Sequence, residues 1–135
     1  MSTYTESGFT VSAASGPWEA STTYGNPAPF IQFYAAAGTT VTGEVRLTAG
    51  GSAFSFYSVD LYSSTTPVPY TITGLRNASP VFTLMDTLPN TFGNFRTVTN
   101  PNAAAPIDAL SIVLTNTAGF AGRNPTGLDT IVLTR

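Results

Sequence analysis

Turn-forming residues interrupt this chain so often that no stretch keeps a helical period. Residues 15–17, 25–27, 49–51, 66–67, 89–90, 100–102 and 123–127 are clusters rich in Gly, Pro, Asn, Ser and Thr. Glycine supplies positive φ, and proline presets a turn while being refused inside a paired strand. Between the clusters lie nine segments: 9–12, 30–34, 41–47, 54–62, 70–73, 81–84, 95–98, 110–114 and 128–133. Each mixes β-branched or aromatic residues with small polar ones at close to period two, as half-buried strands do. The alanine triplets 35–37 and 103–105 are too short, and too near Gly or Pro, to nucleate a helix. Short strands at this spacing predict an all-β chain folded as an antiparallel two-sheet β-sandwich.

Glycine and proline, with 12 and 10 copies, could also describe a disordered chain, but hydrophobic residues make up 42% of the sequence. That much apolar surface offsets the entropy of ordering. With 135 residues the chain fits one domain, 1–135, that buries a core without disulfides. Neither an internal repeat nor a linker divides it.

The same composition removes whole classes of chemistry. Histidine and cysteine are absent, and all five basic residues are isolated arginines. Without histidine or lysine no Ser-His-Asp triad or Ser-Lys dyad can be assembled, and without cysteine there is no thiolate zinc site. The Gly-rich stretches lack the spacing of phosphate-binding loops. A net charge of -2 with no basic run argues against nucleic acid. No apolar run reaches the ~20 residues of a membrane helix. Met1-Ser2-Thr3-Tyr4 has neither a charged nor an apolar leader region, so an exported protein would begin here after its targeting segment. What remains is suited to neutral, hydroxylated partners: rings, amides, hydroxyls and scattered carboxylates.

In segment 54–62, Ser55, Tyr57, Val59 and Leu61 share one face; Phe54, Phe56, Ser58, Asp60 and Tyr62 share the other. Both are largely apolar, which predicts a strand inside a sheet with one side on the core and the other under a loop or lining a groove. Asp60 there needs a partner or water. Asp60 and Asp108, with Asp86 or Glu44, could in principle form the carboxylate pair of a glycosidase, but single acids on strands more often pair with arginines or bond turn amides.

Four segments in order, Phe54-Ser55-Phe56-Tyr57-Ser58-Val59-Asp60-Leu61, Tyr70-Thr71-Ile72-Thr73-Gly74-Leu75, Pro106-Ile107-Asp108-Ala109-Leu110-Ser111-Ile112 and Gly127-Leu128-Asp129-Thr130-Ile131-Val132-Leu133, resemble the exported β-sandwich domains of bacterial PEP-CTERM surface proteins. Those domains look related to jelly-roll carbohydrate-binding modules. The resemblance implies a jelly-roll topology and an extracellular or cell-surface location. It also implies a structural calcium, with Asp129 in the last strand as one ligand and Glu6 (or Glu19) as its partner; oxygen ligands suffice for calcium.

Trp18, in a loop-like stretch, is a candidate stacking ring for a sugar, joined by Tyr24 and Tyr62. The alternative for Trp18 is a place capping the sandwich core. Arg123 and Asn124, in the Gly-rich loop 119–127, could donate to hydroxyls. The expected function is noncatalytic carbohydrate binding to a neutral polysaccharide or oligosaccharide. The rival is a structural or adhesive surface module that self-associates through edge strands.

Overall fold

The computed structural model describes residues 3–6, 8–16, 18–21, 30–35, 38–64, 66–117 and 124–134; the side chains of 3–6, 19–21, 30, 34–35 and 124–125 are not part of that description. Eleven strands are described and no helix: β1 (Thr3–Glu6), β2 (Phe9–Ser15), β3 (Glu19–Ser21), β4 (Phe30–Ala35), β5 (Thr40–Thr48), β6 (Ser55–Ser63), β7 (Val68–Arg76), β8 (Ser79–Leu88), β9 (Arg96–Thr99), β10 (Ala109–Thr117) and β11 (Asn124–Thr134). They form two sheets, β1-β2-β5-β10-β7-β8 and β3-β4-β11-β6-β9, paired antiparallel throughout. From β4 onward the chain repeatedly crosses between sheets, so strands distant in sequence close the sandwich, as in a jelly roll.

Period-two alternation fills the interior. Val45 and Leu47 of β5, Leu110, Ile112 and Leu114 of β10, and Ile72 of β7 face Phe33, Phe56, Val59 and Leu61 from the other sheet in one buried cluster. Glycines make room for rings where the sheets meet. A Cβ on Gly74 would stand 2.3 Å from the Phe82 ring, and Phe82 stacks on Phe56 with centroids 6.5 Å apart.

Two irregularities break the simple alternation. In β11, Asp129 pairs with Asp60 but Val132 with Ser58, so Thr130 and Ile131 oppose the single residue Val59. This is a β-bulge, and Thr130 takes a left-handed φ of 46° to make it. A second shift skips Tyr57 of β6. Phe54 and Phe56 therefore share the core with Val59 and Leu61, while Tyr57 is turned to solvent. The face assignment expected from strict alternation across 54–62 fails here, because the bulge adds one residue and exchanges the faces.

β7 and β8 are joined by Asn77-Ala78, both at positive φ (51° and 65°), the geometry of a two-residue hairpin whose twist matches its strands. Asp108 Oδ2 accepts the Asn77 amide at 2.9 Å and fixes this turn.

Candidate functional site

The face of the five-stranded sheet that points away from the core brings rings and polar groups of β4, β6, β9 and β11 together. Its register is explicit. Across one row, Tyr62 of β6 pairs with Gly127 of β11, Gly127 with Gln32 of β4, and Gln32 with Glu19 of β3. Across the next, Thr97 of β9 pairs with Asp60, and Asp60 with Asp129. The third holds Thr99, Ser58 and Val132. Rows on one face are about 7 Å apart and strands about 4.8 Å, so β9, β6 and β11 offer a floor roughly 14 by 10 Å.

The Tyr62 row is built around a glycine. Gly127 has no side chain, and the Tyr62 ring lies over it: a Cβ there would be 2.7 Å from the ring, 3.0 Å from Gln32 Cβ and 2.4 Å from the Ile31 carbonyl oxygen. Crossing that gap, the Tyr62 hydroxyl donates to Gln32 Oε1. Phe95 packs edge-on against the Tyr62 ring, centroids 5.1 Å apart. Tyr62 and Gln32 are both buried, although Tyr62 stands apart from the core cluster. Of the loop or groove expected on the second side of segment 54–62, loop 89–95 covers the Tyr62 end through Phe95, while Ser58 and Asp60 stay partly exposed.

Asp60 lies in the neighbouring row, half-buried, and accepts the Thr97 hydroxyl at 2.6 Å. Opposite it stands Asp129, also half-buried, which makes contacts of its own. Two carboxylates at directly facing positions repel each other and any anionic partner, while ionised carboxylates are acceptors suited to hydroxyl donors.

Loop 89–95 is fastened to the end of β6 through Ser63 and Thr91. The Thr91 amide donates to Ser63 Oγ at 2.9 Å, the Ser63 amide to Thr91 Oγ1 at 2.9 Å, and the Thr91 hydroxyl to the Ser63 carbonyl at 2.9 Å. The Gly93 amide adds a fourth bond to the Ser63 carbonyl at 2.8 Å. Asn90 Oδ1 accepts the Phe92 amide at 2.9 Å, and the Asn94 amide and side chain both donate to the Thr91 carbonyl. At the tip, Phe92 has φ 54° and is 79% exposed.

Of the expected stacking rings, the two that are described, Trp18 and Tyr62, do not come together. Trp18 takes the core-capping place: it is 3% exposed, packs edge-on to Phe33 at 4.7 Å, and donates from Nε1 to the Ser15 carbonyl at 2.9 Å. Gly43 makes that place possible, since a Cβ there would meet both rings at 2.9 Å. Neither Trp18 nor Tyr62 offers a ring face to solvent as the chain is folded. Tyr24 and Arg123 lie outside the described residues, and of Asn124 and Glu6 only the backbone is described, at the start of β11 and the end of β1. β1 and β11 belong to different sheets. Among the described residues no three acids come together to hold a metal ion.

The other acids have local duties. Asp108 holds the β7–β8 turn, and Asp86 accepts the Thr87 amide at 2.8 Å. Glu44, on the outward face of the six-stranded sheet, accepts from Ser111 Oγ at 2.5 Å and Arg46 Nε at 2.9 Å. Burial alone would raise the Glu44 carboxyl, but the Ser111 hydrogen bond and then Arg46 outweigh it and hold the group below the usual glutamate range. Tyr70 is pushed up by burial and by Asp86, with Arg96 acting against both. Asp60 and Glu44 are therefore on opposite faces of the sandwich and form no carboxylate pair.

Sequence reading missed Phe92, Phe95, Gln32 and Thr97 as members of this surface. The signal for the first two was present: residues 89–95 read Pro-Asn-Thr-Phe-Gly-Asn-Phe, turn chemistry with two rings inside it.

The fold is that of the carbohydrate-binding-module β-sandwiches. A solved module described as promiscuous in specificity, from the β-sandwich superfamily, aligns with 97% of this chain and 58% of its own at TM-score 0.56 and 14% identity. TmCBM61 in complex with β-1,4-galactotriose aligns over 96% of this chain and 89% of its own, with TM-score 0.51 and 11% identity. The enzymatically active domain of tailspike protein 4 from bacteriophage CBA120 matches at TM-score 0.56 and 11% identity; it covers 95% of this chain, which spans only 19% of that one. No family model matches the sequence, and no curated protein matches it.

Proposed function

We propose that the chain is a noncatalytic carbohydrate-binding module that takes a neutral oligosaccharide or polysaccharide on the outward face of its five-stranded sheet. The observation that carries this is the row Thr97-Asp60-Asp129 beside the half-buried Phe95 ring, which packs on buried Tyr62: hydroxyl-seeking oxygens next to ring surface on a rigid sheet. The facing carboxylates favour neutral over acidic glycans. The neighbours described as carbohydrate-binding modules, one of them holding β-1,4-galactotriose, support the same reading. Affinity of a shallow face should fall in the micromolar to millimolar range, roughly -4 to -8 kcal/mol.

The test is titration with cello-, manno-, xylo- and galacto-oligosaccharides, wild type against Asp60→Ala. Saturable binding by wild type, weakened in the variant without change of fold, supports the reading; no binding to any neutral glycan removes it. Release of reducing ends, lost in Asp60→Asn, would replace it with a hydrolase using Asp60 and Asp129.

A location outside the cell, on a bacterial surface of the PEP-CTERM kind, belongs to this proposal, and fractionation of the native host tests it. So does a structural calcium at Asp129. With no three described acids converging, its remaining oxygens would come from groups such as Glu6, and an unchanged melting temperature in chelator would dismiss it.

One observation favours the structural or adhesive alternative. β8 is a ten-residue edge strand with a single charge, Asp86, and with Val81 and Met85 exposed. Long, weakly charged edges recruit further strands. Concentration-dependent assembly without glycan binding would favour that role.

A further inference from the structure

We propose that Phe92 is the ring on which the bound sugar stacks. The assignment builds on the carbohydrate-binding reading above and names the apolar half of that site. A lone exposed ring ordinarily calls for no explanation, and Met85, 74% exposed, sits without strain in a regular strand. Phe92 differs in two independent ways.

The first is its backbone. At φ 54° it occupies the left-handed region, which glycine or asparagine enters cheaply and a bulky residue does not. A turn needing only that conformation would be better served by either. Such outliers persist where the surroundings over-determine them, and they gather at ligand clamps.

The second is the clamp. Four bonds between Ser63 and the pair Thr91 and Gly93, with the Asn90 and Asn94 bonds, hold the loop in place. The same loop carries Phe95 onto Tyr62, so the loop that bears Phe92 borders the Tyr62 end of the outward face. A loop held this way loses little backbone freedom on binding, which helps a shallow site hold a flexible ligand. The complementary surface on the ligand is the C–H face of a neutral pyranose, with its hydroxyls directed toward the Asp60 row.

The experiment titrates wild type, Phe92→Asn and Phe92→Trp with cello-, manno-, xylo- and galacto-oligosaccharides of three to six units, and records the melting temperature of each. Asparagine accepts the left-handed backbone but has no ring. The expected result is binding about five- to tenfold weaker in Phe92→Asn, a melting temperature equal to or above wild type, and binding retained in Phe92→Trp. Wild-type binding left unchanged by Phe92→Asn overturns the role of Phe92 and leaves the carbohydrate reading standing. Weaker binding together with a lowered melting temperature makes the ring structural and also overturns it. No binding by wild type to any member of the panel overturns both.

Discussion

Replacing Gly127 with alanine should destabilise the protein even though a strand ordinarily gains from the exchange. Gly127 is a paired residue of β11, between Gln32 and Tyr62. Its added Cβ would lie 2.4 Å from the Ile31 carbonyl oxygen and 2.7 Å from the Tyr62 ring, against ordinary contacts of about 3.5–4.0 Å. Neither neighbour can yield freely. Ile31 is held by the pairing of β4 with β11 and by burial at 6% exposure. Tyr62 is tethered through its hydroxyl to Gln32 and backed by Phe95. Overpacking of this kind costs about 1–3 kcal/mol. With an unfolding entropy of roughly 2.1 cal/mol/K per residue, a chain this long changes Tm by about 3–4 °C per kcal/mol. Gly127→Ala should therefore lower Tm by about 4–10 °C in a circular-dichroism melt. Gly43→Ala meets side-chain atoms alone among its nearest contacts, at 2.9–3.1 Å, and should cost less. A Gly127→Ala melt within about 2 °C of wild type, or a larger loss at Gly43, would refute the close-approach argument.

Other substitutions separate packing from recognition. Trp18→Ala should cost about 3–5 kcal/mol of stability in urea unfolding followed by circular dichroism, because the ring caps the core on Phe33. Tyr62→Phe withdraws the donor to buried Gln32 and should cost about 1–3 kcal/mol in the same assay. Ala78→Gly relieves a positive φ in the β7–β8 hairpin and should stabilise by about 0.4–1 kcal/mol. Glu44 has its folded pKa lowered, so its contribution is present at neutral pH and is lost as pH falls through and below the usual glutamate range. Urea midpoints between pH 7 and 3 should fall less steeply in Glu44→Gln, and identical slopes would contradict that.

Much of the fold was legible because period-two patterning and turn residues are local signals. Residues 41–47, 70–73, 110–114 and 128–133 each fall inside an observed strand, and the rings Phe54, Phe56 and Phe82 of segments 54–62 and 81–84 are buried. The failures arose where tertiary structure overrides alternation. Glu19–Ser21 forms a strand that pairing with β4 supports rather than its own pattern. The bulges at Tyr57 and Thr130 depend on how β6 and β11 meet. The candidate surface was harder to read than the fold because it is assembled from β6, β9, β11 and one loop, a juxtaposition set by cross-sheet topology. Trp18 looked available because Gly16 and its neighbours read as a loop, while the space that receives its ring is created by Gly43, distant in sequence. Phe92 was passed over because a ring inside a turn cluster carries no periodicity.

The central claim concerns which face meets the ligand, and amide chemical-shift mapping by NMR during oligosaccharide titration addresses it most directly. Shifts should concentrate at Asp60 and Tyr62 of β6, Thr97 of β9, Asp129 of β11 and residues 91–95. Shifts concentrated instead at Thr42, Ser111 and Thr73 of the six-stranded sheet, or none at millimolar glycan, would contradict the account.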